Sequence, residues 1–294
     1  MMARVWFEGL PDFSSLGASI EGTLGLEADG DVRATDLLLY LHGVETSQIT
    51  VGAGKSRHAV VQKVPFLELV SSFHNALPFK DADHISAGTY RFPFRFDIPA
   101  TAEPSLATSE RPRTRGRFTG QEDGMYVEYE LEARMQVPWW VDPIDREVVP
   151  VYSPRRVLGA LPPFSSGEDP ERPTVSIRVD QPMILPGMTV TGSYSVENPR
   201  LKELRQLTLT FLRHVEFHAQ SVSGVRESPE FIAAIPLGAR SPQFQGVFQV
   251  EIPNTAQTTG PFTGQLYRTY WVLRTIVEVS LGFNAKVDAV FTPA

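Results

Sequence analysis

The sequence contains no cysteine. That excludes disulfides, thiolate metal sites and cysteine nucleophiles, and it accords with a reducing, cytoplasmic setting. Lysine is scarce too, with 5 residues against 22 arginines, and the net charge is −7. The broad basic surface that neutralises nucleic-acid phosphates is therefore missing. No run approaches the roughly 18 apolar residues of a membrane-spanning helix. The opening stretch, MMARVWFEGLPDFSSLGAS, has no continuous apolar core, so no secretory signal is expected. Long helical patterns are also rare, which leaves strands to build the fold.

What is present is alternation. In YVEYELEARMQV (126–137), Val127, Tyr129, Leu131, Ala133, Met135 and Val137 share one face, and Glu128, Glu130, Glu132, Arg134 and Gln136 share the other. Successive side chains of a strand point to opposite sides, so this reads as an antiparallel strand with one buried and one wet face. RFPFRFDIPATAEPS (91–105) behaves alike: Phe92, Phe94, Phe96 and Ile98 point in, Arg91, Arg95 and Asp97 out. Pro93 falls in the outward set and cannot donate a ladder hydrogen bond, which predicts an edge or bulge position. Further strands are expected at 19–27, 36–43, 174–179, 188–197, 206–218, 231–236, 244–252, 271–283 and 286–291.

A chain of 294 residues with 42% hydrophobic content can bury two cores. SSGEDPERP (165–173), preceded by Pro162 and Pro163, is the best linker, giving domains over 1–160 and 174–294 with 161–173 between. The halves read as copies. GTLGLEADGDVRATDLLLYLHGVE (22–45) aligns with GSYSVENPRLKELRQLTLTFLRHVE (192–216), placing Gly22 on Gly192 at an offset of 170. Phe94–Pro99 aligns with Phe248–Pro253 at an offset of 154, so the first copy holds 16 extra residues between these anchors. PFLELVSSFHNALPF (65–79) lies there, and Phe66, Leu67, Val70, Phe73, His74 and Leu77 follow helical spacing. The expectation is all-β: two tandem antiparallel immunoglobulin-like β-sandwiches, with one short amphipathic helix at 65–77 packed on the first.

The ordered series of motifs resembles the arrestin family. SIEGTLGLEADGDVRATDLLLYLHGVE is similar to its first paired strands. GTYRFPFRFDIPATAEPS carries the pattern Gly88, Phe92-Pro93-Phe94, Pro99 and Pro104-Ser105. YVEYELEARMQVPWW resembles the strand closing the first domain, and ILPGMTVTGSYSVEN, with Pro186, Gly187 and Asn198, the opening of the second. The resemblance implies a non-enzymatic adaptor that binds other proteins without a cofactor. With Ala294 directly after the last strand and no Pro-Pro-x-Tyr, it implies a compact, tailless, bacterial type of member.

Three stretches could carry chemistry. Gly54-Lys55-Ser56 ends like a phosphate-binding loop, but Ile49 stands where that motif needs its first glycine, so a hairpin turn is expected. In HVEFH, His214, Glu216 and His218 alternate along a strand and so share a face. Two imidazoles and a carboxylate suit zinc with an open fourth position, and a solvent-facing strand has the same pattern. ERPRTRGR sets Arg111, Arg113, Arg115 and Arg117 at every second position in what reads as a lengthened loop. Extended, four guanidiniums on one side would match the carboxylates or phosphates of an acidic or phosphorylated protein segment. No G-x-S-x-G elbow occurs, and Glu128 and Glu130 read as solubility residues rather than an acid–base couple.

Overall fold

The alternating stretches become long antiparallel strands in the computed structural model, which describes residues 3–81, 83–108, 123–139, 141–153, 164–166, 171–180, 188–251, 262–280, 282 and 284–291. The chain divides into two compact units, Met1–Pro154 and Arg155–Ala294. The first has seven principal strands: β1 (Ala3–Glu8), β2 (Ser19–Ala28), β3 (Asp36–Val51), β4 (His58–Ser72), β5 (Gly88–Asp97), β6 (Gly124–Gln136) and β7 (Ile144–Val148). The second also has seven: β8 (Thr174–Val179), β9 (Thr189–Glu197), β10 (Leu204–Ala219), β11 (Val222–Ala239), β12 (Gln243–Glu251), β13 (Tyr267–Val279) and β14 (Ala285–Phe291).

The strands pair identically in both units. One sheet runs β1-β2-β5 and its counterpart β8-β9-β12; the other runs β7-β6-β3-β4, with its counterpart β14-β13-β10-β11. Even the small additions correspond, Leu106–Ala107 pairing β6 and Phe262–Thr263 pairing β13. The register joins the two sequence anchors: Gly22 lies opposite Phe94, and Gly192 opposite Phe248. Each glycine leaves room for the facing ring, since a Cβ on it would approach the ring to 2.9 Å at Gly22 and 2.4 Å at Gly192. Two similar sandwiches in tandem are therefore the architecture. The echoed phenylalanines are core in both.

The alternation of β6 holds on its inner face, where Val127, Tyr129, Leu131, Ala133 and Met135 are buried. Burying such side chains on both sheets supplies the main stabilisation. Pro93 sits on β5, which among the described residues pairs only with β2, an edge position that suits the missing N–H. The strand stops at Asp97, and Ala102 N–H donates to Pro99 O at 3.0 Å as the chain turns away. Asn198 ends β9 fully buried; its amide donates to Lys202 O and Ser241 O, and its Oδ1 accepts from Lys202 N–H.

The amphipathic helix expected at 65–77 does not form. His58–Ser72 is strand β4, followed by a single 3-10 turn at His74–Ala76. The register between β3 and β4 slips at Gly43/Val44, so Phe66 has no partner and both Phe66 and Leu67 pack against the core. This bulge breaks the two-residue period, and the leftover apolar spacing imitates a helix. The valines at 60, 61, 64 and 70 favour a pleated surface. The extra residues of the first copy instead lengthen its connections. The link from β4 to β5 is 73–87 where β11 to β12 needs only 240–242, and the β3–β4 turn is 52–57 against 220–221.

Candidate functional site

Two of the three stretches singled out in the sequence lie within the described residues. Gly54-Lys55-Ser56 is a 3-10 turn at the tip of the β3–β4 hairpin, with Gly52 and Gly54 at φ +84 and +57. Ser56 folds back on its own turn, its N–H and hydroxyl both donating to Ala53 O. The Ser56 and Arg57 N–H groups are spent within the turn, which is a hairpin turn as expected. Arg111, Arg113, Arg115 and Arg117 lie outside the described residues. The ends of that segment are pinned: Thr108 exchanges hydrogen bonds with Met125, and Asp123 accepts from Thr50 N–H at 2.6 Å.

His214, Glu216 and His218 do share the outer face of β10, but the three side chains do not gather around one point. His214 Nδ1 lies 3.1 Å from Glu227 on β11, and its ring stacks on Tyr270 of β13 with centroids 4.5 Å apart. Glu216 accepts a hydrogen bond from the Tyr270 hydroxyl at 2.7 Å. Arg274 then donates to both oxygens of Glu227, at 2.6 and 2.9 Å, and to Asp288, which also meets Lys286. The result is a ladder of alternating charges across four strands. Among the described residues, the group of three or more His, Asp and Glu side chains whose ligand atoms all lie within 4.8 Å of one another is Asp81, Asp83 and His84. There His84 Nδ1 sits 2.9 Å from each aspartate and Arg33 pairs with Asp83, which makes an ion-paired turn.

The electrostatics follow from these contacts. The Arg274 guanidinium, helped by His214, holds the Glu227 carboxyl at about 2 against the opposing effect of partial burial. Burial, then the hydrogen bond to Glu216, pushes the Tyr270 hydroxyl up to about 12. A carboxylate depressed in the folded state adds stability that is full above its unfolded pKa and is lost as pH falls through the folded one. Glu227 thus contributes above about pH 4.5 and ceases to near pH 2. Arg274→Met is expected to cost about 1 kcal/mol at neutral pH, because the partner Glu227, with 34% of its side chain exposed, keeps only part of its nominal coupling. The variant should also lose the acid sensitivity between pH 4.5 and 2 that Glu227 supplies, with its carboxyl titrating back in the ordinary range by NMR.

The first unit has a comparable outer face. Glu132, on the face expected to be wet, is 6% exposed. Arg146 from β7 and Arg134 close over it, with contacts of 2.7 Å each. Burial alone would raise its carboxyl, but these two guanidiniums hold it below the usual carboxylate range. Beside it, Tyr40 and His42 stack at 5.3 Å.

The edges of the sheets distinguish the units more than their faces do. In the second unit the outer side of β8 is taken by Phe164–Ser165, paired with Ile177 and Ser176. Among the described residues no strand pairs with the outer side of its counterpart, β1. β1 reads ARVWFE, with no proline and no bulge to block another strand. A family model described as "Arrestin (or S-antigen), N-terminal domain" matches residues 7–157, just over half of the chain.

The chain belongs to the arrestin family.

The matched stretch contains most of the first unit, including the Phe-rich strand β5 and the closing strand β6. No curated protein matches the chain. Among the described residues, no helix of this arrestin-family chain is long and apolar enough to cross a membrane. Two surface features went unread in the sequence. The open edge of β1 depends on which strands pair, which no local pattern reveals. The turn after β6 was legible in principle, as tandem tryptophans between Pro138 and Pro143.

Proposed function

We propose that this chain is a non-enzymatic adaptor that takes an extended segment of a partner protein as an added strand on β1. The family match carries the reading, and the outer side of β1, with which no strand pairs among the described residues, supports it. Strand addition draws affinity from main-chain hydrogen bonds and specificity from alternate side-chain positions. Arg4 is exposed on β1, its guanidinium 6.0 Å over the Trp6 ring, and Trp6 donates to Glu8 at 2.8 Å. The partner segment is acidic or phosphorylated, recognised by the arginines at 111, 113, 115 and 117 through charge-assisted hydrogen bonds. The setting is the cytoplasm, in keeping with a chain without cysteine.

Affinity purification from the native cell, followed by reconstitution with the purified partner, tests this. Reversing all four arginines to glutamate is expected to weaken binding at least about a hundredfold, since several charge-assisted contacts are lost together. Unchanged affinity would remove the arginines from the account. The rival reading, a metal-binding module or metal-dependent enzyme on His214, Glu216 and His218, predicts stoichiometric zinc that disappears in His214→Ala or His218→Ala. Elemental analysis of the purified chain separates the two.

A further inference from the structure

Four tryptophans occur in the chain. Trp271 is 2% exposed in the core of the second unit, and Trp6 is partly buried with its indole N–H bonded to Glu8. Trp139 is the opposite case. It sits in the turn between β6 and β7 with 94% of its surface exposed, and Val141 beside it is 82% exposed. Its backbone is left-handed, at φ +64. That conformation costs a bulky L-residue energy that glycine or asparagine would avoid. The fold therefore holds this indole in water, in a strained conformation. Strain of this kind is characteristic of sites that meet a ligand.

The turn is also built to keep its shape. Val137 N–H donates to Asp142 Oδ1 at 3.0 Å, and Met135 N–H to Pro143 O at 3.1 Å, closing the loop from both sides. Pro138 and Pro143 bracket the tip and limit its freedom before anything binds. A rigid convex tip bearing an indole and a branched aliphatic side chain suits the boundary between water and acyl chains, where tryptophan's apolar ring and N–H are both satisfied. Charge selects among surfaces. Asp142, Asp145 and Glu147 follow the tip, while Arg146 is engaged with Glu132 and Glu130. Acidic groups at the base of the tip would be repelled by anionic headgroups.

We infer that Trp139 and Val141, exposed between β6 and β7, form an interfacial anchor that inserts into a neutral, phosphatidylcholine-type lipid surface. Its contact is apolar, made by one loop tip, and so reversible. It stands apart from the adaptor reading: failure to find a protein partner leaves it intact.

Vesicle flotation of the full chain tests it. The native chain is expected to float with phosphatidylcholine vesicles at millimolar lipid, and brominated phosphatidylcholine should quench its tryptophan emission. Replacing part of the lipid by phosphatidylserine should lower the bound fraction at low salt, with recovery as salt is added. Trp139→Gly relieves the left-handed strain, so its Tm should be unchanged or higher, while partitioning falls about tenfold with the loss of the indole. Val141→Ser, with the indole kept, should fall less. Absence of flotation overturns the inference, as does equal flotation of native and Trp139→Gly chains. An increase with phosphatidylserine also overturns it, because binding would then belong to basic residues elsewhere. Burial of Trp139 in a protein pocket instead would leave its emission unquenched by brominated lipid, and that outcome overturns the inference as well.

Discussion

Gly192→Ala is expected to destabilise the second unit by about 3 kcal/mol, the upper end for overpacking, and Gly22→Ala the first by only about 1 kcal/mol. The two glycines occupy equivalent places, each opposite a phenylalanine on the neighbouring strand. Their surroundings differ in what can move. At Gly22 an added Cβ meets only side-chain ends, Leu10 Cδ2 at 2.9 Å and the Phe94 ring at 2.9 Å. At Gly192 it meets the Arg178 carbonyl oxygen at 2.3 Å as well as the Phe248 ring at 2.4 Å. A ring can rotate aside, but a carbonyl fixed in the β8–β9 pairing cannot move without opening the sheet. Phe94→Leu should therefore suppress most of the Gly22→Ala cost, while Phe248→Leu should leave most of the Gly192→Ala cost. Chemical denaturation of the single and double variants reads both couplings.

Phe94→Ala and Phe248→Ala should each cost about 3–5 kcal/mol, as for large aromatic truncations in a closed core. Phe94 packs edge-on against Phe7 at 6.1 Å and beside Phe96 at 6.2 Å, and Phe248 lies within the second core. Removing either ring leaves a cavity above a glycine, which has no side chain to collapse into it. The outward neighbours set the contrast. Arg95 pairs with Glu21 and Asp97 at 3.0 and 2.9 Å but is solvent-exposed, so Arg95→Ala should cost less than about 1 kcal/mol. Similar large losses at 94 and 248, beside a small one at 95, would identify the repeated strand as architecture in both units.

Much of this fold could be read from residues alone because it rests on two-residue periodicity repeated in two copies. The strand 126–137 was legible since its inner positions are uniformly apolar. The 16 extra residues of the first copy were implicit in two alignment offsets, whereas the pairing of Gly22 with Phe94 came from the sheet register. The misreading at 65–77 has one cause, the bulge at Gly43/Val44, which shifts β4 by a residue and erases the period. Burial of Glu132 depends on Arg146, brought alongside by the β6–β7 hairpin, so alternation alone made it look wet. His214 and Glu216 were placed on the right face, yet their partners Glu227 and Tyr270 come from strands distant in sequence. Local pattern tells which way a side chain points. What it meets there is set by pairing, and so is the outer side of β1, with which no strand pairs among the described residues.

Hydrogen exchange on the chain bound to its purified partner tests the adaptor reading most directly. In the free protein, the outward amides of an unpaired edge exchange readily, whereas those bonded to β2 are protected. Binding by strand addition predicts new protection concentrated in Ala3–Glu8, with the His214–Glu216–His218 face of β10 unchanged. Tight binding that leaves Ala3–Glu8 exchanging as in the free chain would contradict the account.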